Sequence, residues 1–143
     1  MNVPASIPAR LHDLYLVAAK GQKNSFAPYS KFQVGAAIRL RDGRIFGGGN
    51  IEFVVNGLSV CAERGVLQAV MSELGRVEMA EVFVLTNGVP AVFPCGGCRQ
   101  ALAEFAPKDM SLPIHAANPQ GDFKTTTLAA LLPMTYTPDY VPH

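Results

Sequence analysis

Residues 61–105, CAERGVLQAVMSELGRVEMAEVFVLTNGVPAVFPCGGCRQALAEF, predict a helix, a strand and a second helix in that order. Ala62, Val66, Ala69, Val70 and Leu74 share one face over about 61–74, and Gly75 suits the C-terminal cap. AEVFVLT (80–86) is a short apolar run of the kind that forms a buried strand, and GGCRQALAEF (96–105) reads as a helix stopped by Pro107.

The same alternation extends outward. Ile7, Leu11, Leu14, Tyr15 and Ala18 recur at helical spacing, which predicts an amphipathic helix over about 8–21. QVGAAIRL (33–40) and RIFGG (44–48) flank Arg41-Asp42-Gly43-Arg44. Asp-Gly between two apolar runs signals a hairpin, with a type I′ turn that needs positive φ at both central residues. The run Gly47-Gly48-Gly49 marks a place where a backbone or a ligand approaches closely. PIHAAN and DFKTT form a further expected hairpin around Pro119-Gln120-Gly121, followed by a short helix at 126–132. Strands alternating with helices around a mostly apolar sheet indicate an α/β layered architecture, read as a single domain over 1–143.

Composition narrows the function. Of 143 residues, 49% are hydrophobic and 16% charged, which fits a folded domain with a real core and not a disordered chain. Twelve basic against eleven acidic residues leave a formal charge of +1, without the basic excess expected of a protein that grips nucleic-acid phosphates. The expected partner is small and roughly neutral. The N-terminal stretch lacks the charged and apolar regions of a secretory signal, and no run approaches the roughly 18 apolar residues of a membrane span. No membrane partner is expected, and the expected location is the cytoplasm.

The cysteines carry the chemistry. There are three, an odd number, and two of them form Cys95-Gly96-Gly97-Cys98, a spacing that in a cytosolic chain points to metal or redox chemistry more than to a disulfide framework. Cys61 opens one predicted helix, and Cys95 and Cys98 sit at the start of another. The partial positive charge of a helix N-terminus favours the thiolate that binds metal. Three soft sulfur donors and one open position make a catalytic zinc shell. Glu63, two residues from Cys61 and not needed to fill that shell, is placed to take a proton from the attacking water and hand it to a leaving group. Arg64 can donate to thiolate sulfurs and draw off their charge. Spacing alone leaves two other readings open: a redox Cys-x-x-Cys pair, which leaves Cys61 unexplained, and a closed structural zinc site, for which His115 would have to act as fourth ligand from a predicted strand.

Cys61-Ala62-Glu63-Arg64 followed by Pro94-Cys95-Gly96-Gly97-Cys98-Arg99-Gln100 resembles the paired signature of the cytidine deaminase family, in its three-cysteine variant. The resemblance continues in FAPYSKFQVGAA (26–37), in Asn50-Ile51-Glu52 and in LLPMTY (131–136). It implies an α/β/α sandwich with a mixed five-stranded sheet, one Zn²⁺ per subunit, and the homotetramer usual in the short branch of the family. It further implies that Phe32 faces the pyrimidine ring and that Asn50 and Glu52 bind sugar hydroxyls. By the same resemblance the Ala62 amide meets the base carbonyl, and Tyr136 stands where a phenylalanine stacks in a neighbouring subunit's site. The implied substrate is a pyrimidine nucleoside, cytidine or 2′-deoxycytidine.

One segment departs from the family. Phe53-Val54-Val55-Asn56-Gly57 stands where the short branch has Asn-Ala-Ser-Tyr-Gly or close to it. Gly49 and Gly97 are milder changes. The altered segment opens an alternative, a modified pyrimidine nucleoside or an aminopyrimidine antibiotic such as blasticidin S, although Asn50 and Glu52 favour a ligand bearing ribose. A polynucleotide-editing deaminase would want a basic, aromatic-lined channel, and a non-catalytic zinc module would have no use for Glu63.

Overall fold

The computed structural model describes residues 2–140; the ends of the domain expected over 1–143 lie outside that range. Five strands, β1 (Val34–Leu40), β2 (Ile45–Gly49), β3 (Met79–Thr86), β4 (Pro113–Ala117) and β5 (Phe123–Thr127), form one sheet in the order β2-β1-β3-β4-β5. All neighbours run antiparallel except β3 and β4, which are parallel. A parallel pair needs a crossover connection, and helix α3 (Gly96–Ala103) supplies it.

Strand alternation divides the core in two. Ala36, Ile38 and Leu40 of β1, with Val82 and Val84 of β3, pack against Ala62, Val66 and Val70 of helix α2 (Ala62–Leu74) and Leu102 of α3. Ala37, Phe83 and Leu85 point to the other face and meet Leu11, Leu14, Tyr15 and Ala18, mostly from helix α1 (His12–Asn24). Helices on both faces of a mixed five-stranded sheet are the three-layer sandwich that the family resemblance implies.

The boundaries differ from expectation in ways that chain chemistry explains. Helix α1 starts after a 3₁₀ turn at Ala9–Leu11 and runs to Asn24, three residues further than expected; Ser25, extended and bonded through Oγ to the Gln22 carbonyl, ends it. Helix α3 stops at Ala103, earlier than the expected 105. A proline ring clashes with the carbonyl four residues back, and four residues before Pro107 is Ala103. The short helix α4 is confined to Leu128–Leu131, with Thr127 Oγ1 accepting from the Ala130 amide as its cap.

The β1–β2 turn is a correction. Gly43 alone takes positive φ (93°), and Asp42 does not. The Gly43 amide bonds to the Leu40 carbonyl and the Leu40 amide to that of Arg44, which encloses a loop of three residues. Three-residue hairpins favour a type I turn followed by a left-handed glycine, so the I′ requirement does not arise.

The glycine run is answered by a backbone. A Cβ on Gly49 would lie 2.1 Å from the Gly21 carbonyl oxygen, and one on Gly21 would lie 2.1 Å from that of Gly48. Helix α1 thus lies directly on the β1–β2 ribbon.

A polar chain crosses the α1 face at its far end. Arg39 forks onto both carboxylate oxygens of Asp13 (2.9 and 2.7 Å) and donates through Nε to Glu81 Oε2 (3.0 Å). His115, 1% exposed, donates through Nε2 to Glu81 Oε1 (2.8 Å), while Nδ1 meets Thr125 Oγ1 (2.8 Å). The histidine considered as a fourth metal ligand is therefore fully engaged in the core. Burial pushes the His115 pKa down from 6.5, and the Glu81 carboxylate partly opposes that. Burial would raise Glu81, but the bonds from His115 and Arg39 outweigh it and hold it below its usual value.

A lowered histidine pKa means that the unfolded chain binds more protons below pH 6.5, so stability is lost as pH falls from there. Glu81→Ala strands the His115 N–H, at an expected cost of about 1–3 kcal/mol. It also removes the group that favours the imidazolium. Urea midpoints should therefore drop at pH 7, and the gap between variant and native protein should widen from pH 6.5 to 5. A gap that stays constant or narrows contradicts this.

Candidate active site

Helices α2 and α3 both begin at the same end of the sheet, each with a cysteine as its N-cap: Cys61 for α2 and Cys95 for α3. Cys98 follows in the first turn of α3 and is fully buried. The three sulfurs lie within 4.8 Å of one another, and no disulfide joins them. Cys61 and Cys95 are 3.9 Å apart at sulfur. Two sulfurs on one tetrahedral zinc, each at 2.3 Å, would be separated by about 3.8 Å. Both the geometry and the soft donors fit zinc, and among the described residues no other group of three or more His, Cys, Asp or Glu side chains is gathered closely enough to hold a metal.

The charges around the sulfurs are tuned by contact. The Cys61 thiol is lowered to about 5, first by a hydrogen bond from Cys98, with Arg64 and Cys95 adding to it against the effect of burial. Cys98, as donor to Cys61 and as a buried group, is pushed up. Arg64 Nη2 lies 3.8 Å from Cys61 Sγ and 3.5 Å from the Ser59 carbonyl. Glu63, in the first turn of α2, is 4% exposed. Burial raises its pKa, and the negative charge of Cys61 adds to that.

Cys61, Cys95 and Glu63 line a cavity of about 450 Å³ together with Phe32, Asn50 and Ala62, with Val34, Val84, Thr86, Val92, Phe93, Pro94 and Arg99 completing the wall; Cys98 and Arg64 do not line it. The sequence singled out the first six and missed the second seven. The apolar members have no chemical signature, and Arg99 stands inside the cysteine motif without a role that spacing reveals. Ala62 starts α2, so its amide is one of the donors that a helix leaves without an intrahelical acceptor.

Two expected site residues lie elsewhere. The lining of this cavity does not include Glu52, whose Oε1 accepts from the amides of Tyr29 and Ser30 (3.1 Å each) while Oε2 accepts from Ser30 Oγ. The Ser30 hydroxyl, first among these bonds, holds the Glu52 pKa down. Tyr136 does not line the cavity either; its carbonyl accepts from Gln100 Nε2 (2.8 Å), and its ring is largely exposed. Asn50 does line it, while bracing its wall: Oδ1 accepts from the Val34 amide and Nδ2 donates to the Phe32 carbonyl, both at 2.9 Å.

Residues 9–113 match the family described as the cytidine and deoxycytidylate deaminase zinc-binding region. The chain is 40% identical over 120 residues to a cytidine deaminase of Halalkalibacterium halodurans, covering 84% of this chain and 89% of that one. Its fold superposes on the crystal structure of cytidine deaminase from Burkholderia pseudomallei with a TM-score of 0.82 at 35% identity, covering 87% of this chain and 98% of the other. A blasticidin-S deaminase of Bacillus cereus is more distant, 28% identical over 116 residues, with 76% of this chain and 79% of that one covered. The matched region spans both cysteine segments and Glu63, and most of the sheet that brings them together; the chain belongs to the cytidine and deoxycytidylate deaminase family.

Proposed function

We propose that this chain hydrolyses the exocyclic amine of cytidine and 2′-deoxycytidine, giving uridine or 2′-deoxyuridine and ammonia, with Glu63 as the proton carrier. The observation that carries this reading is a carboxyl buried beside three converging sulfurs on the wall of a cavity sized for a small ligand. Held by Cys61, Cys95 and Cys98, a zinc ion supplies Lewis acidity that makes water nucleophilic near neutral pH.

The chain's own residues move the protons. Glu63 accepts one from the water as its oxygen joins the amine-bearing ring carbon, and delivers it to the adjacent ring nitrogen. It then takes the proton of the new hydroxyl and gives it to the amino group. The C–N bond breaks, ammonia leaves, and the carboxylate is as it began. A pKa raised by burial suits a group that must both accept and release a proton within one cycle. Arg64 offsets sulfur charge. Ala62 offers its amide to the base carbonyl, and Phe32 packs on the ring.

Asn50 retains a second lone pair and a second N–H for a sugar hydroxyl. Glu52 reaches the sugar by exchanging bonds now made to Ser30. The exposed apolar side chains of Phe26, Ile51, Phe53, Val54 (80% exposed), Val55 and Leu58 lie on or beside strand bridges joining Phe26, Ile51 and Val60. An apolar patch of that kind marks an association surface and supports a homotetramer in which Tyr136 serves a neighbouring site. Free cysteines and a bacterial relative support a cytoplasmic location, and the three-sulfur cluster supports one zinc per subunit. No helix among the described residues is long and apolar enough to cross a membrane.

The altered segment Phe53–Asn56, together with the blasticidin-S deaminase relative, favours a second reading in which an aminopyrimidine antibiotic is the substrate. A panel of cytidine, deoxycytidine, 5-methylcytidine, cytosine and blasticidin S, followed by ultraviolet loss and ammonia release, separates the two. Turnover of the first two at least tenfold faster than blasticidin S is expected. The reverse order replaces the first reading with the second, and no turnover of any of them removes both.

A further inference from the structure

The side of the Cys95-Gly96-Gly97-Cys98 turn that carries Cys95 faces solvent, whereas Cys98 is buried. Cys95, Gly96 and Gly97 are exposed, and a Cβ on either glycine would meet nothing within 4 Å. No side chain caps the start of α3. One residue, Arg99, bonds both carbonyls that precede Gly96. Its amide donates to the Cys95 carbonyl (2.9 Å), and its Nε donates to that of Pro94 (2.6 Å). Its Nη1 reaches the Leu131 carbonyl (3.1 Å), and the next side chain, Gln100, reaches the Tyr136 carbonyl (2.8 Å). The Arg99 side chain thereby ties the carbonyl just before a metal ligand, which is followed by two exposed glycines, to the 131–136 segment.

We infer that Arg99 is a positioning residue that holds Cys95 in reach of zinc and ties the metal site to the 131–136 segment. The inference rests on the reading of Cys61, Cys95 and Cys98 as zinc ligands. The guanidinium suits the task because its planar fork makes directed bonds to two carbonyls at once, whereas an ammonium is a single point charge. Groups behind a metal ligand commonly change metal affinity by 10- to 100-fold when removed.

The test starts with zinc stoichiometry of the native enzyme. A native protein that binds no zinc overturns the ligand assignment itself. With zinc bound, its release to a chromophoric chelator is timed for native protein, Arg99→Ala and Arg99→Lys, with circular dichroism checking that each is folded. Release about tenfold faster or more is expected for both variants. Release within twofold of native in a folded variant overturns the proposal. A lysine variant that matches native while alanine does not shows that charge alone acts, and this overturns the clamp.

Amide hydrogen exchange supplies a second readout, independent of turnover. In native protein, stripping zinc should speed exchange across residues 131–136. In the Arg99 variants that segment should exchange fast with zinc still bound. Exchange there that ignores both zinc and Arg99 refutes the link to the C-terminal segment.

Discussion

Replacing Glu63 with Gln should reduce kcat by about 10⁴-fold, the upper range for loss of a general acid–base group, while leaving one zinc per chain and a folded protein. The size of the effect follows from the site. Glu63 is nearly inaccessible to solvent and is the only carboxyl lining the cavity, so no neighbouring group can take over both proton transfers. It is not one of the three groups whose ligand atoms converge, so the metal shell does not depend on it. Glutamine keeps the volume and the bonding reach but cannot accept the proton. The check is ammonia release and zinc content on the same preparation. Full zinc with activity within tenfold of native removes Glu63 as the proton carrier, whereas loss of both shows a structural part in the metal site.

Gly35→Ala should be the most damaging small substitution for stability. A Cβ there would sit 1.8 Å from the Ala18 carbonyl oxygen and 2.6 Å from the Gln22 amide nitrogen, both backbone atoms of α1. No side-chain rotation relieves such a clash, so the helix must lift from the sheet along the contacts of Leu14, Ala18 and Phe83. Overpacking of this kind reaches about 3 kcal/mol or more, equivalent to a fall in melting temperature of about 10 °C for a domain of this size. Gly57→Ala, where a Cβ meets nothing within 4 Å, is the control and should melt like native protein. Equal melting of the two variants contradicts the close approach.

These two sites were legible in the sequence to different depths. Cys61, Glu63, Cys95 and Cys98 could be read because their spacing is local: each group opens a helix, and helix starts follow from short apolar patterns. The run Gly47-Gly48-Gly49 signalled close approach but left Gly35 unmarked, and only the three-dimensional register identifies α1 as what approaches both. Arg99 was invisible for a different reason. Its acceptors are backbone carbonyls, one of them at Leu131, and any residue type would present the same oxygen. Glu52 was placed by resemblance at the sugar, yet its present partners are two amides and a serine hydroxyl in the 29–30 turn. The β1–β2 turn was misassigned because Asp-Gly also suits the three-residue loop, and the choice depends on which residues pair across it.

The pairing of β3 with β1 also couples metal binding to folding. Cys95 and Cys98 are three residues apart and can grip a metal together in a chain that has little structure. Cys61 joins them only when α2 and α3 start side by side, which requires β3 to be in register against β1, pairing residues as distant as Val34 and Thr86. Contacts of that separation form slowly. A complete three-sulfur shell therefore exists only where the sheet is closed, so a metal held by it would stabilise the folded chain.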